Sequence, residues 1–368
     1  MWFKKKTKSK LELASEVVET LVKETNCKIN ELGQHDYDLY NALINIQERF
    51  DKIRNVPSDK QLEYQKIKKV SLSWKQQVDK IEHDYETAKK TDIGGGAAGG
   101  MLGAGVATLG PTVAMGFATT FGVASTGTAI SSLSGAAATN AALAWLGGGA
   151  LSAGGGGMAA GNFLLGLAGP VGWTIAGLAI IGSALMFWKA KSDRDRLEEL
   201  FLLISKRDQY SYKQAIVELN ERIKRIIDET KKLKEAIKNI ITFGTDYNSM
   251  TEKQQYTLGA YVNLMNASTQ LLVNPIQGLQ PKYTKLNLER FLTYNVNYAA
   301  KEHCKKNKDV IVYFANLLFK INTEESDRKL LSKSFRGNKE FRKKMKLEKS
   351  DLDLELFNIV NEVLCAFY

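Results

Sequence analysis

Residues 216–240, IVELNERIKRIIDETKKLKEAIKNI, decide the fold. Ile216, Leu219, Ile223, Ile226, Thr230, Leu233, Ile237 and Ile240 recur at alternating steps of three and four, and lysine, arginine and glutamate fill most of the positions between them. One apolar seam at that spacing belongs to a helix packed lengthwise on others. It predicts a long helix over residues 210–242, in a coiled coil or bundle, broken at Gly244.

Working outward, residues 8–54 carry a second amphipathic pattern, with Leu32, Leu39, Leu43, Ile46, Phe50 and Ile53 on one seam. Pro57 breaks it, and Ser58 or Asp59 can cap the next helix. That helix runs to about residue 90, with Ile67, Val70, Trp74, Val78, Ile81 and Tyr85 on its apolar face. Two helices joined by so short a turn predict an antiparallel hairpin. Toward the C-terminus, shorter helices are expected at about 251–273, 286–305, 309–321 and 351–366, with an ordered connector at 274–281. With five prolines and no strand pattern, the expected fold class is all-α.

Between these charged regions the composition changes abruptly. Residues 93–188 contain no Asp, Glu, Lys, Arg or His in 96 positions, and hold 25 of the chain's 30 glycines. The expected organisation is an N-terminal helical hairpin (1–92), this charge-free block (93–188), a long coiled-coil helix (189–244) and a C-terminal helical region with a basic segment (245–368).

The block reads as membrane-active. A bilayer crossing needs about 20 apolar residues, and residues 163–188 offer fourteen large apolar side chains among 26, closed by Trp188 and Lys189 as aromatic and cationic anchors. Residues 112–134 offer only seven among 23. Insertion there is close to neutral, so that stretch suits either lipid or a protein interior. Gly95, Gly99 and Gly103, then Ala118, Gly122 and Thr126, then Gly157 and Gly161, are spaced by four. Small residues at that spacing let helix backbones approach closely. The expected insertion and packing residues are therefore Gly95, Gly99, Gly103, Gly122, Gly157, Gly161, Trp173 and Trp188. Lys89 and Lys90 before the block, with Lys189 and Lys191 after it, keep both ends on the cytoplasmic side and make the number of crossings even.

A charge-free Ala/Gly-rich hairpin among charged amphipathic helices resembles the plan of pore-forming colicins and apolipoprotein L-type proteins. The resemblance covers the block and its flanking helices, about half the chain, and lies in architecture and composition. It implies a protein that is soluble in one state and inserts helices to permeabilise a bilayer.

The formal charge of +11 makes anionic partners attractive. Lys4, Lys5 and Lys6 beside Trp2 and Phe3, Lys189 and Lys191, and Arg342, Lys343 and Lys344 are the candidate contacts to anionic lipid. Residues 328–349 hold ten Lys or Arg against two Glu; a solvated helix face explains them best, ahead of anionic lipid, and a nucleic-acid partner ranks last. Three widely separated cysteines make neither a disulfide framework nor a zinc site. Gly94-x-Gly96-x-x-Gly99 matches a dinucleotide fingerprint only through composition, since no strand precedes it, and there is no GxxxxGK[ST]. His303-Cys304 is an unsuitable nucleophile pair, because adjacent helix residues point apart. No constellation supports an enzyme, and no cofactor or metal is expected. The sequence thus points to a bilayer partner, a homo-oligomer, a possible regulatory protein partner, and cytoplasmic synthesis followed by association with the inner membrane. The alternatives are a coiled-coil scaffold and a constitutive anchor without pore activity.

Overall fold

The computed structural model describes residues 10–93, 111–121, 190–280, 282–283, 285–294, 301–302, 304–305, 307–339, 342 and 347–366. They are mostly helical, with no strand among them and one isolated bridge between Arg54 and Asp246. The elements are α1 (Lys10–Asp51), α2 (Ser58–Ile93), α3 (Pro111–Phe121), α4 (Lys191–Ile240), α5 (Glu252–Val273), α6 (Lys285–Tyr294), α7 (Lys308–Leu317), α8 (Glu325–Gly337) and α9 (Leu354–Cys365).

The predicted seam of α4 is buried along its whole length except at Ile237, which is half-buried. Thr230, the one polar member, is accommodated because its hydroxyl donates to the Ile226 carbonyl at 2.7 Å. The helix is longer than its heptads predict and starts at Lys191. The added turns bury Leu197, Leu200, Phe201 and Ile204 against a second set of partners, so tertiary packing extends a helix that the heptad pattern leaves unmarked.

α1 and α2 lie side by side and antiparallel. Tyr64 donates its hydroxyl to the Gln47 carbonyl (2.9 Å), Gln47 donates to the Ser71 hydroxyl (3.3 Å), and the Tyr40 and Trp74 rings lie 5.5 Å apart. Asn55, at φ 61°, makes the turn and donates to Asp246 at 3.0 Å. There Arg54 N donates to Thr245 O (2.9 Å) and Tyr247 N to Arg54 O (3.0 Å), joining the C-terminal ends of α1 and α4. The two helices therefore run parallel, and Leu11 at the start of α1 shares a core with Leu197 and Leu200 at the start of α4. Since α2 runs back along α1, α2 ends and α4 begins toward the same end of the bundle.

Gly244, at φ 79°, ends the long helix. α5 starts from a Thr251–Gln254 capping box and returns antiparallel to α4, with Asn239 donating to the Tyr261 hydroxyl at 2.7 Å and Arg222 donating to the carbonyls of Leu271 (2.6 Å) and Asn274 (2.8 Å). The described part of the connector, 274–280, is held because the Glu218 carboxylate accepts from Gln277 N (2.9 Å) and Gly278 N (3.1 Å).

Two apolar clusters result. One joins α1, α2, α3, α4 and α5. The other joins the first turns of α1 and α4 to the C-terminal helices, around Phe314, whose ring lies 4.9 Å from Phe335 and 4.7 Å from Phe357. α8 falls at the start of the basic segment, where the sequence offers a solvated helix face; the helix also has an apolar face that its basic residues obscure, carrying Leu331 and Phe335, both fully buried.

Candidate functional site

The described part of the charge-free block is α3, sequence PTVAMGFATTF. It lies in a groove made by α1, α2 and α5, with Ala114, Met115, Gly116, Ala118, Thr119 and Thr120 all buried. Of the two environments open to residues 112–134, this part occupies a protein interior.

Three contacts fix α3 in place. The first is a backbone crossing: a Cβ built on Gly33 of α1 would lie 1.8 Å from the Thr112 carbonyl oxygen, and one on Gly116 would lie 2.2 Å from the Ile29 carbonyl oxygen. No side chain fits at either position, so the two glycines allow an approach that alanine would block. The second is at the helix end, where the Thr120 carbonyl accepts from Ile276 N at 2.8 Å and from Gln280 Nε2 at 3.1 Å. These bonds satisfy a carbonyl that the last turn leaves without an intrahelical donor.

The third contact is Asp36 of α1, which is fully buried. Burial holds its carboxyl well above the usual carboxylate range; the Thr119 hydroxyl and the more distant Arg222 guanidinium oppose that shift without cancelling it. Neither carboxyl oxygen has a well-formed hydrogen bond among the described residues, and the same holds for the hydroxyls of Thr119, Thr120 and Thr269. Arg222 is itself partly withdrawn from water, which lowers its pKa, and it already serves the two carbonyls at the end of α5. Asp36 is thus a carboxyl group whose neutral form burial favours, beneath a helix that brings no charge.

Of the expected packing residues, Gly95, Gly99, Gly103, Gly122, Gly157, Gly161, Trp173 and Trp188 lie outside the described residues, as do Lys4, Lys5, Lys6, Lys189, Lys343 and Lys344. Lys191 is exposed at the first position of α4. Arg342 is half-buried, with its Nε withdrawn from water and unpartnered among the described residues. Gly33, Asp36, Gly116, Thr119 and Thr120 were not anticipated. A signal for two of them was present: Asp36 continues the Leu32–Leu39–Leu43 seam at steps of four, three and four, and Gly33 interrupts an otherwise good helix former beside it.

Nothing else described resembles a catalytic or metal centre. Among the described residues no group of three or more His, Cys, Asp or Glu can hold a metal. Cys304 is buried and its thiol is pushed up to about 11, chiefly by that burial, so it is a poor nucleophile. An open cleft of about 430 Å³ lies between the α1–α2 turn and α5, lined by Phe50, Tyr64, Tyr247, Tyr256 and Lys60. Among the described residues, no helix is long and apolar enough to cross a membrane. No family model, curated protein or solved structure matches the chain.

Proposed function

We propose that the chain is a non-enzymatic, helical, membrane-perturbing protein whose charge-free block enters a bilayer, in the manner of a toxin or defence effector. The observation that carries this reading is the run of 96 residues, 93–188, without an ionisable group. Even a buried helix of a water-soluble protein usually keeps a polar face. Two features support a resting form in which part of the block is shielded. α3 is buried within the helical body, and α2 and α4 meet the block from the same end of the bundle, as a hairpin requires. The basic residues flanking the block and those of segment 328–349 would engage anionic headgroups, and oligomerisation would follow insertion.

The test is release of a trapped dye from anionic liposomes by the full-length purified protein, from pH about 5 to about 9, with and without a membrane potential. Release is expected under at least one condition. Intact vesicles throughout, together with loss of the protein from cell membranes in alkaline carbonate, would overturn the reading.

A second reading, a coiled-coil assembly factor, is favoured by one observation. Leu203, Tyr210 and Val217 lie seven residues apart on α4 and are 43%, 64% and 63% exposed. A stripe at that spacing suits a further helix. Analytical ultracentrifugation separates the readings: an assembly factor would self-associate without lipid through this stripe, and Tyr210→Lys would abolish the association.

A further inference from the structure

We propose that α3 is a pH-sensitive clasp: it closes over Asp36 while that carboxyl group is neutral, and ionisation of Asp36 loosens it. Where the clasp bears on a bilayer, the proposal rests on the membrane reading above; the clasp itself does not.

The geometry supplies a specific joint and a weak one. The Gly33–Gly116 crossing and the Thr120 carbonyl tie define one docked position. Yet α3 has only eleven residues, fewer than a helix needs to persist alone in water, so its order depends on docking. Asp36 lies in the interface, with both carboxyl oxygens lacking a well-formed partner among the described residues. Undocking α3 would admit water to the carboxyl group, and water favours its charged form.

Among the described residues, Arg222 is the counter-charge that bears on Asp36, and burial outweighs it. α3 contributes hydroxyls and no charge. On α1 the neighbours His35, Tyr37 and Asp38 are half-buried or exposed. On α2 the described ionisable side chains near it include Lys75, Asp79, Glu82 and His83, which are exposed or half-buried, and Lys75 pairs with Asp79. α5 carries its charged residues, Glu252 and Lys253, in its first turn, at the far end of that helix. α4 contributes Arg222, which attracts the Asp36 charge but also faces Glu218 and is committed to the carbonyls of Leu271 and Asn274; Glu229 of α4 is paired with Lys232.

The sign follows from proton linkage. A carboxyl group whose pKa is raised when docked binds more protons in the docked state, so docking is strongest below the free value of about 4. It weakens as pH rises through the docked value. A single site changes the docking equilibrium by at most about tenfold per pH unit in that window. The clasp is thus tight in acid and loosens as pH climbs from the free value to the docked one.

Hydrogen exchange on the full-length protein tests this, with the protection of residues 111–121 expressed relative to an unstructured peptide at the same pH. Protection is expected to fall by up to about tenfold per pH unit while amides around Leu219 and Ile226 in α4 stay protected. Asp36→Asn is expected to flatten the profile, and Gly116→Leu to remove protection at every pH. A flat wild-type profile, or loss of α4 protection in step with α3, overturns the clasp, and because that measurement uses the unaltered chain it does not depend on either variant folding. The dye-release assay is scored separately. Loosening without release at any pH leaves the clasp intact and counts against the membrane reading. Release with a flat exchange profile does the reverse.

Discussion

Asp36, Gly33 and Cys304 carry the sharpest consequences at the scale of single residues. Replacing Asp36 by Asn removes a group whose native pKa is raised by burial. The stability it allows is present in full below the unfolded value near 4 and is lost as pH rises through the native pKa. Thermal unfolding should therefore give Asp36→Asn a higher midpoint than the wild type near pH 8, with the gap closing toward pH about 4. Cys304 has a thiol raised to about 11, whereas Cys27 and Cys365 are exposed. Iodoacetamide near pH 8 should modify the latter two and leave Cys304 intact, as read by peptide mass spectrometry. Much at this scale was legible beforehand. The seam residues of α4 were read correctly because periodicity reports burial directly. Asp36 was not, because a charged residue on an apolar seam looks like an error in the pattern until the helix that covers it is known.

At the scale of elements, α3 and its groove belong together. Gly33→Ala and Gly116→Ala each place a methyl group against a backbone carbonyl that cannot move aside. Overpacking of this kind costs about 1–3 kcal/mol or more. Both variants should lose exchange protection at residues 111–121, while the α1–α2 turn, held by the Arg54–Thr245 and Asn55–Asp246 bonds, keeps its own. The helix boundaries expected for α1 and α2 lie within a few residues of those observed, because Pro57 with Ser58 and Asp59 is a local signal. The apolar seams mark neither α8 nor the first turns of α4, although a helix is expected from residue 189 and a helix face within 328–349. Their helicity is fixed by partners distant in sequence, such as Asp327, whose carboxylate takes two bonds from Arg196 at 2.8 and 2.9 Å. The groove for α3 could not be read either, since small residues spaced by four recur along the whole block and only packing singles out Gly116.

For the whole molecule, α4 runs through both apolar clusters, and α1 adds Leu11 to the second. At about 1.5 Å per residue its 50 residues span about 75 Å. Ile226→Ala in the first cluster and Leu200→Ala in the second should each cost about 2–5 kcal/mol. Because one continuous helix threads both, calorimetry should record a single transition that moves down in either variant. Two separate transitions would mean that the C-terminal helices fold on their own. The all-α architecture was visible at this scale from composition and seams. The way α4 joins the two clusters was not, because it depends on which faces meet.

The parallel course of α1 and α4 has a mechanical corollary. Any tension on the stretch between Ile93 and Lys191 draws α2 and α4 lengthwise in the same direction, so their interfaces are loaded in shear and many contacts must yield together. At the start of α4 the Arg196–Asp327 pair acts as a strut bracing that helix against the C-terminal region. α3 has no such length to share the load. A pull transmitted along the chain would peel it away one turn at a time, and it would come free while the rods on either side still hold.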